Sequence, residues 1–289
     1  MLNFEKESVM NLINKYFINS KGLRIFYRTD APFDAKAIVI ISHGYAEHSG
    51  HYIELCDFLV KNNFGVYAID HRSHGQSEGK RGHIDSFFDF ISDFDALVSM
   101  IKENHPDKAI FTFGHSMGGL ITFVYALVHP ERNMKGQVFS GPALAAPWGL
   151  YKVPMTFYDI VGKTIPKAKV YRIVKRRASR NYQYFKEFQN DPYDLKYSTI
   201  GFLKEFLYKG ISWAQENAEK YDLPCLFLQG TADKIIPYER VQSTFERISS
   251  KDKTLKLYEH CYHELIHEPE REEIMKDMLE WLEERIKKN

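Results

Sequence analysis

Six short apolar runs, most of them rich in β-branched residues, recur along this 289-residue chain: 37–42 (AIVIIS), 64–69 (FGVYAI), 109–113 (AIFTF), 136–140 (GQVFS), 225–229 (CLFLQ) and 255–259 (LKLYE). Helix-like segments separate them, at 51–62, 87–104, 117–129, 238–248 and 268–286. Runs that are apolar throughout, rather than at every second residue, suit strands covered on both faces, and parallel strands need crossover segments of helical length. The alternation predicts an α/β protein with a mostly parallel central sheet flanked by helices. A stretch at 17–28 with Asn19-Ser20-Lys21-Gly22 in its middle predicts a hairpin leading into that sheet.

The rhythm breaks once. Between about Leu144 and Ala218 no clean strand is legible, and Pro147, Pro154, Pro166 and Pro192 punctuate aromatic, lysine-rich helical pieces. Leu223-Pro224 then restarts the strand pattern. The expected organisation is a core built from 1–143 and 216–289, with 144–215 inserted as a helical lid over the carboxyl ends of the strands, where open α/β sheets hold ligands.

Lys and Arg number 39 against 38 Asp and Glu, so no general basic excess favours nucleic acid. Three widely spaced cysteines, Cys56, Cys225 and Cys261, form neither a CxxC pair nor a disulfide framework, which fits a reducing compartment. The first residues, MLNFEKESVMNLINKYF, lack the unbroken apolar region of a signal peptide. No run approaches the ~18 apolar residues of a membrane span. The expectation is a cytoplasmic protein, with peripheral membrane contact through the lid left open and the oligomeric state unspecified.

FTFGHSMGGL, residues 111–120, places Ser116 between Gly114 and Gly118 where a strand turns into a helix. A Gly-x-Ser-x-Gly match is common by itself, but the strand–turn–helix setting is what a nucleophile elbow requires. There the serine takes a strained backbone conformation, and side chains two positions away would collide with the neighbouring strand and helix. A lone serine is a poor nucleophile, so a base and an orienting acid are needed. Asp233 and His263 follow late strands in the required order. His260 and His267 compete as the base, and spacing alone does not separate them from His263. The oxyanion hole is expected from two backbone N–H groups: Met117, directly after the nucleophile, and Tyr45, in the loop HGYAEHSGHY that follows the first core strand. His43, His48 and His51 invite a metal reading, but carboxylate and cysteine ligands are not obviously grouped with them in sequence. Neither a metal nor an organic cofactor is expected.

HGYAEHSGHY, IDHRSHGQSEGKRGHI, FGHSMGG, QNDPYD, LQGTADKIIP and KDKTLKLYEHCYHEL together resemble the monoacylglycerol lipase and lysophospholipase branch of the α/β-hydrolase superfamily. The resemblance covers about 20–143 and 216–287, with the lid matching only around Asn190-Asp191-Pro192. It implies the α/β-hydrolase fold, ester hydrolysis on monoacylglycerols or similar single-chain lipid esters, and the triad Ser116, Asp233 and His263 with donors at Tyr45 and Met117. It also implies that Glu47 and His48 lie near a glycerol head group. The family commonly has a small residue where Tyr45 stands, so substrate preference is a separate question. Lysophospholipase or short-acyl carboxylesterase activity is the alternative within the same chemistry, and a non-catalytic binding module is the alternative outside it. Ser116 argues against epoxide and haloalkane hydrolases, which use a carboxylate nucleophile.

In the lid, Trp148, Leu150, Tyr151, Val153, Met155, Phe157 and Ile160 form an apolar-aromatic group suited to an acyl chain, each buried CH₂ contributing about 0.8 kcal/mol. Trp148, Leu150 and Tyr151 are the candidate substrate contacts. Lys175, Arg176, Arg177 and Arg180 form a local basic cluster, read first as a solvated helical face and second as a site for anionic lipid.

Overall fold

The computed structural model describes residues 11–145, 155–171, 178–188 and 190–287. The chain enters as a hairpin, β1 (Ile13–Ile18) and β2 (Arg24–Asp30), turning at the expected Asn-Ser-Lys-Gly. β3 (Ile38–Ser42), α1 (Ile53–Lys61), β4 (Gly65–Ile69), α2 (Phe88–Asn104), β5 (Ile110–His115), α3 (Met117–Val128) and β6 (Gly136–Ser140) complete the first part of the core. The sequence 144–218 then contributes α4 (Met155–Thr164), β7 (Lys169–Tyr171), α5 (Tyr182–Phe188), β8 (Tyr197–Thr199) and α6 (Ile200–Leu203). α6 continues through a π-helical stretch, Lys204–Gly210, into α7 (Ile211–Asn217). β9 (Cys225–Gly230), α8 (Tyr238–Arg247), β10 (Lys253–Tyr258) and α9 (Arg271–Lys287) close the core.

Eight strands form one sheet in the order β1-β2-β4-β3-β5-β6-β9-β10. The pairings of β1 with β2 and of β2 with β4 are antiparallel, and the others are parallel. Alternate side chains explain why the central strands read as unbroken apolar runs. Ile38 and Ile40 of β3 join the core that includes Phe94 and Leu97 of α2 and Leu120 and Val124 of α3. Val39 and Ile41 join the opposite core, with Leu55 and Leu59 of α1 and Met278 and Trp281 of α9. Both faces of the central strands are therefore dry.

The strand order reverses at β3 and β5. β3 leads outward to β4 on one side, whereas the chain after β5 proceeds to β6 on the other. The loops leaving the carboxyl ends of these neighbours meet at the switch point, with Ser42 paired to Gly114 in the last register position. β7 and β8 form a separate two-stranded antiparallel sheet, which the sequence pattern did not signal. β7 is exposed at all three residues, so its segment carries no apolar run to read.

Candidate active site

Ser116 sits at the β5–α3 junction with φ 49° and ψ −113°, a conformation costly for a residue with a side chain. Its backbone is tied on both sides: its N–H donates to the Ser140 carbonyl at 3.0 Å, and its own carbonyl accepts from Ala143 N–H at 2.9 Å. The flanking glycines meet the expected obstacles. A Cβ on Gly118 would lie 2.0 Å from the Ser42 carbonyl oxygen of β3, and one on Gly114 would lie 2.7 Å from the Gly118 carbonyl in α3. Ser116 is thus held at the amino end of α3, where the first N–H groups lack partners inside the helix and favour negative charge. Met117 is the first residue of that helix.

Asp233 follows β9 and His263 follows β10. The Nδ1 of His263 lies 2.7 Å from Asp233 Oδ2. Asp233 Oδ1 accepts from the N–H groups of Ile235 and Ile236 at 2.7 and 2.9 Å, and Gln229 Nε2 donates to Oδ2 at 3.0 Å. Burial pushes the Asp233 carboxyl up, but His263 and the two N–H groups outweigh it and hold the carboxyl below its ordinary value. An ionised carboxylate can only accept, so Nδ1 of His263 carries a proton and Nε2 is left with its lone pair. The ring packs against the backbone of Gly141, the residue after the Ser140 that anchors Ser116, and its centroid is 4.8 Å from that of His115.

The two competing histidines sit elsewhere. His260 is exposed, with φ 64°. His267 is buried and stacked on Tyr184 with ring centroids 4.0 Å apart, and burial drives it down to about 3.

Most polar groups of the loop after β3 are paired within the loop or with neighbouring segments. His43 accepts from His71 N–H at Nε2 (2.9 Å), so its Nδ1 holds the proton and donates to the Gly44 carbonyl (2.7 Å). Burial keeps this ring neutral, its pKa lowered to about 4. Asp70 accepts from Ser49 N–H and Gln76 N–H, both at 2.7 Å, binding the HGYAEHS loop to the DHRSHGQS segment. The second motif block thereby supports the first, a role that sequence reasoning left unassigned. Ala46, next to Tyr45, has φ 68°, and its carbonyl accepts from Leu195 N–H at 2.9 Å. The Tyr45 side chain turns toward the inserted segment, its hydroxyl 2.8 Å from Ser198 Oγ and its ring against Phe202 and Phe206.

Glu47 is buried. Its Oε2 accepts from Gly44 N–H at 3.1 Å and from the Tyr52 hydroxyl at 2.8 Å, so the carboxylate braces the loop from within. His48 is also buried, with Nδ1 accepting from Gly50 N–H at 3.0 Å and Nε2 lying 3.3 Å from Asp191 Oδ2. His51 Nε2 lies 2.8 Å from Asp194 Oδ1 and its Nδ1 is 3.1 Å from the Tyr184 hydroxyl. Burial opposes a charge on His51, but Asp194 outweighs it and raises the pKa. The carboxylate partners that the histidines lack in sequence are supplied by the inserted segment. His48, His51 and Asp191 come within 4.8 Å of one another, yet the ring nitrogens of both histidines already face protein groups.

Trp148, Leu150, Tyr151 and Val153 of the expected acyl surface lie outside the described residues, as do Lys175, Arg176 and Arg177. The side chains of Met155 and Phe157 lie outside them too, whereas Ile160 is exposed. Arg180 binds Glu268 through Nε at 2.5 Å and also pairs with Glu270. Cys56, Cys225 and Cys261 are free and buried, and burial pushes each thiol up to about 12. No helix among the described residues is long and apolar enough to cross a membrane.

The model of the family described as serine aminopeptidase, S33 (Hydrolase_4) matches residues 34–270. The chain is 32% identical over 269 residues to a monoacylglycerol lipase of Mycolicibacterium smegmatis, covering 92% of this chain and 95% of that one. It is 30% identical over 275 residues to the monoglyceride lipase of Rattus norvegicus, covering 94% and 90%. The crystal structure of Paleococcus ferrophilus monoacylglycerol lipase superposes with a TM-score of 0.79 at 31% identity, covering 96% of this chain and all of that one. A serine at a strained strand–helix junction, a histidine–carboxylate pair beyond the last two strands, and these likenesses over nearly the whole length lead to one assignment. The chain belongs to the serine aminopeptidase S33 (Hydrolase_4) family and has the α/β-hydrolase fold.

Proposed function

We propose that this protein hydrolyses carboxylic esters of single-chain lipids, monoacylglycerol foremost, through an acyl-enzyme on Ser116. The observation that carries the reading is the 2.7 Å contact of His263 Nδ1 with Asp233, which orients an imidazole whose ring lies by Gly141, the residue after the Ser140 that anchors Ser116. Nε2 takes the Ser116 proton as Oγ attacks the ester carbonyl, and the N–H groups of Met117 and Tyr45 stabilise the oxyanion. The imidazolium returns the proton to the leaving alcohol, and water then releases the fatty acid by the same route. The glycerol ester as substrate is inferred from the monoacylglycerol and monoglyceride lipases among the relatives.

The segment 144–215 acts in this reading as a lid. It is supported by the Asp191, Asp194, Leu195 and Ser198 contacts, all of which end on the loop that carries Tyr45 or its continuation. Ser116→Ala is expected to remove ester turnover while the circular dichroism of the folded protein is unchanged. Full turnover by that variant would reject the nucleophile. Rates on monoacylglycerols and lysophospholipids of matched acyl length test the head group.

A further inference from the structure

His115 and Glu264 are the chain neighbours of Ser116 and His263, and these neighbours meet. His115 Nε2 stands 3.2 Å from Glu264 Oε1, with side chains 1% and 6% exposed. The contact is an angled ion pair rather than a straight hydrogen bond.

The other ring nitrogen fixes the protonation. His115 Nδ1 lies 2.9 Å from the Ser140 carbonyl oxygen, which can only accept, so Nδ1 carries a proton. A neutral ring would then point the Nε2 lone pair at a carboxylate oxygen, two acceptors facing each other away from water. A second proton turns that repulsion into charge-assisted attraction.

We propose that His115 and Glu264 form a buried, charged positioning pair that locks the loop carrying the base onto the strand carrying the nucleophile, and that the lock opens when His115 loses its second proton. This rests on the roles given above to Ser116 and His263. The groups facing His115 come from three segments. Glu264 and His263 lie in the loop after β10, Glu47 and Tyr52 follow β3, and His267 lies in the turn before α9. Burial opposes a charge on His115, but Glu264 and then Glu47 outweigh it and raise its pKa to about 9. Burial likewise pushes the Glu264 carboxyl up, and the His115 charge outweighs it, leaving about 2. Ligand atoms of Glu47, His115 and Glu264 lie within 4.8 Å of one another, so a divalent cation is the competing occupant.

The sign follows from linkage. A histidine whose pKa is raised on folding contributes stability that is full below its unfolded value near ~6.5 and is lost as pH rises through the folded value. The parent should therefore lose kcat, and melt at lower temperature, as pH rises through about 9. Glu264→Gln supplies an amide that donates to a neutral His115, keeping the contact without the charge. This variant should hold neutral-pH kcat within about tenfold and show a smaller alkaline fall in both kcat and melting temperature, Glu47 still facing the ring. Glu264→Leu removes the contact and should lower kcat at all pH values by roughly 10²-fold while circular dichroism stays native.

Three outcomes would overturn the pair: the same alkaline fall in parent and Glu264→Gln, an unchanged kcat profile in folded Glu264→Leu, or stoichiometric metal in the purified full chain by mass spectrometry. The melting series needs no turnover, so it judges the pair even if the hydrolase reading fails.

Discussion

His263 donates from Nδ1 to Asp233 Oδ2 across 2.7 Å, and two backbone N–H groups hold the carboxylate's other oxygen. The acid is thereby fixed in place before it orients the base. The tautomer with Nε2 free follows from this arrangement, and a general base needs that tautomer.

Asp233→Asn tests the point. The amide keeps the volume but can donate to Nδ1, which favours the tautomer with the proton on Nε2. Steady-state hydrolysis of a monoacylglycerol should show kcat lower by about 10⁴-fold, with KM little altered. A loss below about tenfold would mean that the carboxylate does not orient the base.

The elbow makes a prediction about folding. Gly118→Ala places a methyl 2.0 Å from the Ser42 carbonyl oxygen, and that contact is backbone, with no side chain to swing aside. β3 and α3 must separate or the turn must deform. Urea denaturation should show a loss of more than about 3 kcal/mol, or the variant should fail to fold. Native stability in this variant would show that the helix does not pack as closely on β3.

The sheet was legible because its central strands are buried on both faces, so burial wrote unbroken apolar runs into the sequence. Gly114 and Gly118 were legible because close packing at the elbow excludes any side chain. β7 and β8 were not, since each has three residues and β7 buries none of them. The His115–Glu264 pair was hidden for another reason. Each residue sits beside a more conspicuous one, and only the fold brings β5 and the loop after β10 together. The same holds for His51 and Asp194, 143 positions apart. Glu47 was read through the resemblance as lying near a head group; that its carboxylate braces Gly44 and Tyr52 from inside was not legible. Nothing in residue order reports which way a side chain turns.

The inserted segment is anchored to the core by buried polar contacts that Asp194→Ala should weaken. His51 is 2% and Asp194 12% exposed at the side chain, so the variant leaves a buried histidine without its carboxylate. The expected cost is roughly 3 kcal/mol in urea denaturation. The loop carrying Tyr45 shares this anchor, so kcat/KM should fall as well. Stability and kcat/KM both unchanged would mean that the segment is held by other contacts.

The account depends most on Ser116 as the atom that becomes acylated. The direct measurement is mass spectrometry of the peptide containing Ser116 after reaction with a fluorophosphonate, for the parent and for His263→Ala. The account predicts a stoichiometric adduct on Ser116 in the parent, formed at least about 10³-fold more slowly in the variant. An adduct on another residue, or none in a parent that hydrolyses monoacylglycerol, would contradict it.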